Sequence, residues 1–195
     1  MLQKIQETAT FIKDRVVVIP NIAIILGTGL GELVHEITDK NEISYENIPN
    51  FPLSTVEGHS GKLIFGKLGD KDVIAMQGRF HYYEGYSMQE VTFPIRVFQA
   101  LGIEYLFVSN AAGGMNSSFE IGDIMLIEDH INRFPEHPLR GKNHEELGVR
   151  FPDMSNAYDK ELRKMAAQTA KENNIKLQYG VYVGTQGPTF ETPAE

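Results

Sequence analysis

The 195-residue sequence predicts an α/β fold: a three-layer αβα single domain, residues 1–195, around a mixed, mostly parallel central sheet. Three observations carry this expectation. Short apolar runs recur along the chain, amphipathic stretches of helical period separate several of them, and the runs end in Gly-rich or polar loops. In open α/β sheets, ligands collect at such strand ends.

Taken in order, residues 1–15 place Leu2, Ile5, Ala9 and Ile12 at helical spacing among Lys4, Glu7, Lys13, Asp14 and Arg15, which reads as an amphipathic opening helix. Ile22–Leu26 is a continuous apolar run ending in glycines, as a strand buried on both faces requires. Glu32–Ile37 reads as helical. Lys62–Leu68 and Asp72–Gln77 flank Gly69-Asp70 and form a hairpin pattern. Ser87 and Glu90 have capping-box spacing and open a helix that Gly102 closes, with Pro94 resetting or kinking its first turn. Glu104–Val108 and Gly122–Ile131 read as further strands, the former of buried type. Asp159–Asn174 is a helix with Leu162, Met165, Ala166 and Ala170 as its inner stripe, and Tyr179–Thr185 returns as a strand. Between them, residues 132–155 form a long irregular segment containing Pro135, Pro138 and Gly141, of a length that in compact domains is functional or mobile.

Composition excludes several functions. There is no Cys, which removes disulfides, thiolate catalysis and Cys-ligated zinc and is compatible with a reducing cytoplasm. A net charge of -8 argues against a nucleic-acid surface, which needs clustered Lys and Arg. The apolar run from Val16 to Leu26 is interrupted by Pro20 and is shorter than a membrane span of about 20 residues, so a soluble, cytoplasmic protein is expected. An acidic protein that binds an anion must do so with a few aimed donors.

Gly78-Arg-Phe-His-Tyr-Tyr-Glu-Gly-Tyr86 supplies such donors. Arg79 offers a planar fork that fits phosphate oxygens, His81 donates to the same anion or accepts from a sugar hydroxyl, and a tyrosine covers a sugar face. The alternative is an amphipathic loop whose aromatics complete a core. Gly27-Thr-Gly-Leu-Gly31 and Asn110-Ala-Ala-Gly-Gly114, each after an apolar strand, present nests of backbone amides, and the Thr28 hydroxyl adds a donor. The first is not a Walker loop, since no Gly-Lys-Ser/Thr follows, and its third glycine is one position early for a dinucleotide fingerprint. A plain tight turn is the competing reading. Glu191 follows an aromatic in a Gly-Pro turn, facing a ligand or simply the surface. His130, His137 and His144 recur every seven residues, without the helical spacing or carboxylates of a metal site, and no metal is expected. No G-x-S-x-G nucleophile elbow occurs.

Six segments in register resemble the trimeric purine nucleoside phosphorylases: residues 27–31, Glu57-Gly-His-Ser-Gly61, 78–86, 110–114, Arg150-Phe-Pro-Asp-Met-Ser-Asn-Ala-Tyr158 and Gly187-Pro-Thr-Phe-Glu-Thr-Pro-Ala-Glu195. The resemblance implies phosphorolysis of inosine, guanosine and their deoxy forms to free base and pentose-1-phosphate, with inorganic phosphate as co-substrate and no cofactor. Carried over by position, Thr28, Arg79, His81 and the backbone amide of Ala111 hold phosphate. Tyr83 and His59 contact ribose, while Phe190 stacks on the purine. Glu191 binds the purine edge, Ala111 also borders the base, and His81 with Glu191 forms the catalytic pair. Phe151 reaches a neighbouring subunit's site in a homotrimer.

The chain ends at Glu195, where members of that family continue with a Ser for phosphate, a Met and a His for the nucleoside and an Asn for the purine. An inactive truncated fragment that binds nucleoside or phosphate is therefore one alternative expectation, and a methylthioadenosine phosphorylase-like enzyme another. His137 stands where the family usually has Asn before Pro-Leu.

Overall fold

The computed structural model describes residues 1–53 and 61–194, in two compact units, Met1–Ala111 and Ala112–Glu195. In the first unit, α1 (Leu2–Lys13) buries Ile5, Ala9 and Ile12 on one stripe, as their spacing predicts. Thr8 joins them fully buried, which its polarity hides in the sequence. Its hydroxyl meets the carbonyls of Lys4 at 2.8 Å and Pro49 at 2.7 Å, so burial leaves no orphan polar group.

β1 (Ile22–Leu26) is apolar throughout because it lies inside a five-stranded sheet. Its neighbours are β4 (Lys71–Gln77) and β5 (Tyr105–Val108), both parallel to it. β3 (Lys62–Leu68) forms the expected hairpin with β4, and β2 (Ile37–Ser44), which the sequence does not announce, pairs antiparallel with β3. Five consecutive polar or charged residues, Thr38 to Glu42, and then Ser44 hide that edge strand, and only Ile37 and Ile43 are buried. The Glu32–Ile37 stretch is a 3-10 helix over Gly31–Glu36 that sends Val34 into a core cluster with Leu26, Ile37, Ile64, Val73 and Ala75.

The helix predicted from Ser87 divides in two. Ser87 caps α2 (Met88–Val91), accepting the Glu90 N–H while the Glu90 carboxylate receives the Ser87 N–H at 2.8 Å. α3 (Phe93–Leu101) then restarts with Pro94 in its first turn and stops at Gly102, whose φ of 92° a side chain would resist. α1 and α3 pack on each other.

β5 departs from expectation. Tyr105, Leu106, Phe107 and Val108 are between 38% and 56% exposed, so this is not a buried strand. The physical reason is position: among the described residues β5 ends the strand order and pairs with β1 alone. Apolar composition marks a strand but cannot tell a central from an edge one.

In the second unit, β6 (Ile124–Asn132) and β7 (Leu177–Gly184) pair in parallel, joined through α4 (Lys160–Glu172). Asp159 caps α4, its carboxylate receiving the N–H groups of Glu161 and Leu162 at 2.9 Å. Ala170 is buried as predicted, but Met165 is exposed and does not belong to the inner stripe. The long irregular segment is held from within: the Arg150 guanidinium donates to the carbonyls of Leu139 at 2.8 Å and Gly141 at 3.0 Å. Among the described residues the two sheets together have three parallel and two antiparallel pairings, in keeping with the mixed, mostly parallel architecture expected. Among the described residues no helix is long and apolar enough to cross a membrane.

Candidate active site

β4, β1 and β5 lie side by side and parallel, so their carboxyl ends open on the same edge of the sheet. The loops leaving that edge begin the three segments picked out by the sequence, residues 27–31, 78–86 and 110–114, of which Asn110 and Ala111 lie in this unit. This is where an α/β sheet gathers a ligand.

The 78–86 loop divides its side chains between the core and the polar contacts at the sheet edge. Phe80 is buried, packing against Tyr45, Phe51 and Tyr86 with ring centroids 5.2, 6.2 and 6.1 Å away. Burying one such ring stabilises the unit by roughly 2–3 kcal/mol. The residues on either side of Phe80 make the loop's polar contacts. Arg79 donates Nη1–H to the Ser109 carbonyl at 2.8 Å and Nε–H to His81 Nε2 at 3.3 Å. His81 in turn holds Glu84: its backbone N–H and its Nδ1 both reach Glu84 Oε1, at 2.8 and 2.6 Å. An arginine only donates, so His81 Nε2 accepts, and the ring proton sits on Nδ1 facing the carboxylate. The Glu84 side chain is 3% exposed, which keeps its charge close to the imidazole and away from water. Tyr83 stacks on His81, centroids 4.8 Å apart and planes 17° from parallel, with its ring half in solvent.

The loop after β1 is fastened to the one after β5. Gly27 N–H donates to Ser109 Oγ at 3.2 Å, and Ser109 Oγ–H donates to the Ile25 carbonyl at 3.2 Å. A Cβ on Gly27 would lie 2.4 Å from the Ser109 carbonyl oxygen, so glycine is required by contact, whatever its torsions. The turn closes with Leu30 N–H on the Gly27 carbonyl at 3.1 Å. Thr28 at its tip is exposed, and neither its amide nor its hydroxyl has a partner among the described residues. The Ala111 amide, two residues past Ser109, is likewise exposed and unpartnered among the described residues. Arg79, His81 and Tyr83 therefore belong to one connected network that reaches Ser109, and Thr28 and Ala111 lie on the two loops joined there. The sequence reading missed Ser109 and Glu84. An His-x-x-Glu spacing entering a short turn was the available signal for Glu84; Ser109 has none, because its role depends on strand order.

His59 lies outside the described residues. Phe151, Phe190 and Glu191 belong to the second unit, where Phe151 is 87% and Phe190 95% exposed and Glu191 is exposed as well. The evenly spaced histidines serve separate purposes: His130 Nδ1 meets the Tyr158 hydroxyl at 3.2 Å, and His137 Nδ1 accepts the Leu139 N–H at 3.1 Å. Among the described residues no group of three His, Asp or Glu side chains is placed to hold a metal ion. A surface hollow of about 570 Å3 lined by Phe11, Arg15, Asn41 and Glu42 contains none of the network residues.

Fold and network together define an α/β protein that presents Arg79, His81, Tyr83 and a glycine loop at the carboxyl ends of parallel strands. The family model described as the phosphorylase superfamily matches residues 21–195. Purine nucleoside phosphorylase 1 of Bacillus subtilis (strain 168) is 55% identical over 195 residues, spanning 100% of this chain and 72% of the relative. Two solved purine nucleoside phosphorylases of Schistosoma mansoni superpose closely. Isoform 2, in complex with cytosine and ribose-1-phosphate, gives a TM-score of 0.93 at 46% identity, over 98% of this chain and 69% of that one. The other, in complex with adenosine, gives 0.92 at 47% identity, over 100% and 70%. The chain belongs to the purine nucleoside phosphorylases of the phosphorylase superfamily.

Proposed function

We propose that this chain carries out phosphorolysis of purine nucleosides, giving the free base and ribose- or deoxyribose-1-phosphate. The observation that carries the reading is the network through which Arg79 and the two glycine loops meet at Ser109, beside His81 and Tyr83. A relative 55% identical bears the same activity in its name.

The chemistry fits those groups. A phosphate oxygen attacks C1′ of the nucleoside while the C1′–N9 bond breaks. The bonding pair leaves with the purine, which then takes a proton, and the sugar passes through a state of oxocarbenium character. Arg79, the Thr28 hydroxyl and the amides of residues 28 and 111 hold the phosphate in place, and His81 completes the set as donor or acceptor at its edge. Tyr83 and His59 hold the ribose, so that both reactants are positioned before bond exchange begins. No covalent intermediate on the protein is required, and phosphate is the co-substrate in place of a cofactor.

Phe190 and Glu191 are assigned to the base. A carboxylate accepts the N1–H of hypoxanthine or guanine, whereas adenine presents a lone pair there, a mismatch that leaves the carboxylate without a donor. A relative has been solved with adenosine, so the preference is stated for turnover rather than occupancy. Phe151, exposed beside Arg150, is assigned to a neighbouring subunit's site in a homotrimer, which light scattering would test.

The decisive experiment is base release from inosine with and without phosphate. Release only with phosphate supports phosphorolysis; equal release without it makes the protein a hydrolase. Adenosine turned over as fast as inosine would remove the role given to Glu191.

A further inference from the structure

The loop bearing Arg79, His81 and Tyr83 is anchored at both ends by tyrosine hydroxyls. At its start, buried Tyr45 donates to the Gly78 carbonyl at 2.7 Å. At its end, the Tyr86 hydroxyl makes a reciprocal pair with one residue, donating to the Leu53 carbonyl at 2.7 Å and accepting the Leu53 N–H at 3.2 Å. Between these anchors runs the short turn Tyr82–Glu84, closed by Gly85 at φ 96°, and Tyr83 rides on that turn. Tyr86 also lays its ring edge-on against buried Phe80, centroids 6.1 Å apart.

From this geometry we infer that Tyr86 is a positioning residue for the ribose side of the site: its paired hydrogen bonds to Leu53 fix the turn that presents Tyr83 on the face of His81. This rests on the phosphorolysis reading for its kinetic consequence, though not for its structural one. The two anchors act at opposite ends. Tyr45 holds the residue before Arg79, on the phosphate side; Tyr86 holds the residue after Gly85, on the Tyr83 side.

Leu53 is 55% exposed, so on loss of the Tyr86 hydroxyl water takes over both of its backbone groups and the fold survives. Tyr86→Phe keeps the ring against Phe80 and removes only the tether. A purely structural role would lower thermal stability and leave both Michaelis constants alone. A positioning role raises the KM for inosine about three- to ten-fold, the equivalent of a hydrogen bond or two, with the phosphate KM changed less than about two-fold. Tyr45→Phe is the contrast: its disturbance falls on the phosphate KM.

Hydrogen exchange supplies a readout independent of turnover. The Glu84 and Gly85 amides donate to the carbonyls of His81 at 3.2 Å and Tyr82 at 3.1 Å, and they report whether the turn is held. Tyr86→Phe speeds their exchange about three- to ten-fold on the same scale. Unchanged exchange at both amides overturns the proposal, even in a chain that releases no base. Faster exchange in the variant than in wild type, where neither protein shows phosphate-dependent release, upholds the tether while the phosphorolysis reading fails. Faster exchange with both KM values unchanged in an active enzyme reduces Tyr86 to a structural residue and also overturns it.

Discussion

Arg79 donates to the backbone carbonyl of Ser109 at 2.8 Å, so the loop after β4 and the loop after β5 are joined through an acceptor that no side-chain substitution at Ser109 can remove. The same guanidinium reaches His81 Nε2 at 3.3 Å. Only a planar, multi-donor cation bridges two acceptors in this way.

Lysine at this position keeps the charge but not the fork. Arg79→Lys is expected to raise the phosphate KM by about 10- to 100-fold, the range for losing a hydrogen bond to a charged group. Arg79→Ala does at least as much. Initial rates across a phosphate titration measure this directly. A lysine variant with the wild-type phosphate KM would mean that Arg79 only ties the loops together.

Gly27 sets how closely the first glycine loop approaches β5. A methyl group there meets the Ser109 carbonyl oxygen at 2.4 Å and the Asn110 Cα at 2.6 Å, and neither is a flexible side-chain end. Gly27→Ala is therefore expected to cost about 1–3 kcal/mol of stability, the range for overpacking. Gly31, in the same motif, has open space where a Cβ would stand. Its alanine variant should stay within about 0.5 kcal/mol of wild type. Urea denaturation of both variants separates a contact glycine from a neighbour of the same type; equal midpoints would refute the distinction.

These two positions also mark what could be read from the chain alone. Elements built on local chemistry were legible: the stripe of α1, the β3–β4 hairpin, the Ser87–Glu90 box and the Gly102 stop each depend on residues a few places apart. Arg79 and His81 stood out as candidates by residue type, whereas only the resemblance separated Tyr83 from the tyrosines beside it. What depends on strand order was hidden. Ser109 meets Arg79 and Gly27 because β5 lies beside β1, and β5 is exposed because, among the described residues, it ends the strand order. β2 carries too few apolar residues to be seen, and Thr8 is buried because Pro49, 41 positions away, supplies an acceptor.

Glu84 is the least exposed carboxylate of the network, and one of its oxygens receives both the backbone N–H and the ring Nδ1–H of His81. Glu84→Gln retains an oxygen able to accept both bonds and removes the charge alone. Glu84→Ala removes the acceptor of both bonds as well. The expected order of kcat is wild type, then Gln lower by about 10-fold, then Ala lower by a further factor of about 10, steps of about 1–2 kcal/mol each. Steady-state assays at saturating inosine and phosphate test it. If Gln and Ala are equally impaired, the charge and not the orientation of His81 is what matters.

The capping box at Ser87 makes part of the stability of the first unit sensitive to acid. The Glu90 carboxyl is held below its ordinary value of 4.5, first by the Ser87 hydroxyl and then by the Ser87 N–H, with burial opposing them weakly. A carboxyl depressed on folding contributes stability that is present above its unfolded pKa and disappears as pH falls through its folded one. Ser87→Ala removes the leading cause. At neutral pH it should cost about 1 kcal/mol, typical of a lost cap. Below the ordinary glutamate range the difference should narrow, because wild type is then losing the charged acceptor too. It should not vanish, since the Ser87 Oγ also accepts the Glu90 N–H at 3.3 Å, a bond that does not titrate. Denaturation midpoints of the two proteins at pH 7 and at pH values below 4 decide the matter: a gap that stays constant or widens in acid would show that the Glu90 carboxylate contributes nothing to holding α2 in place.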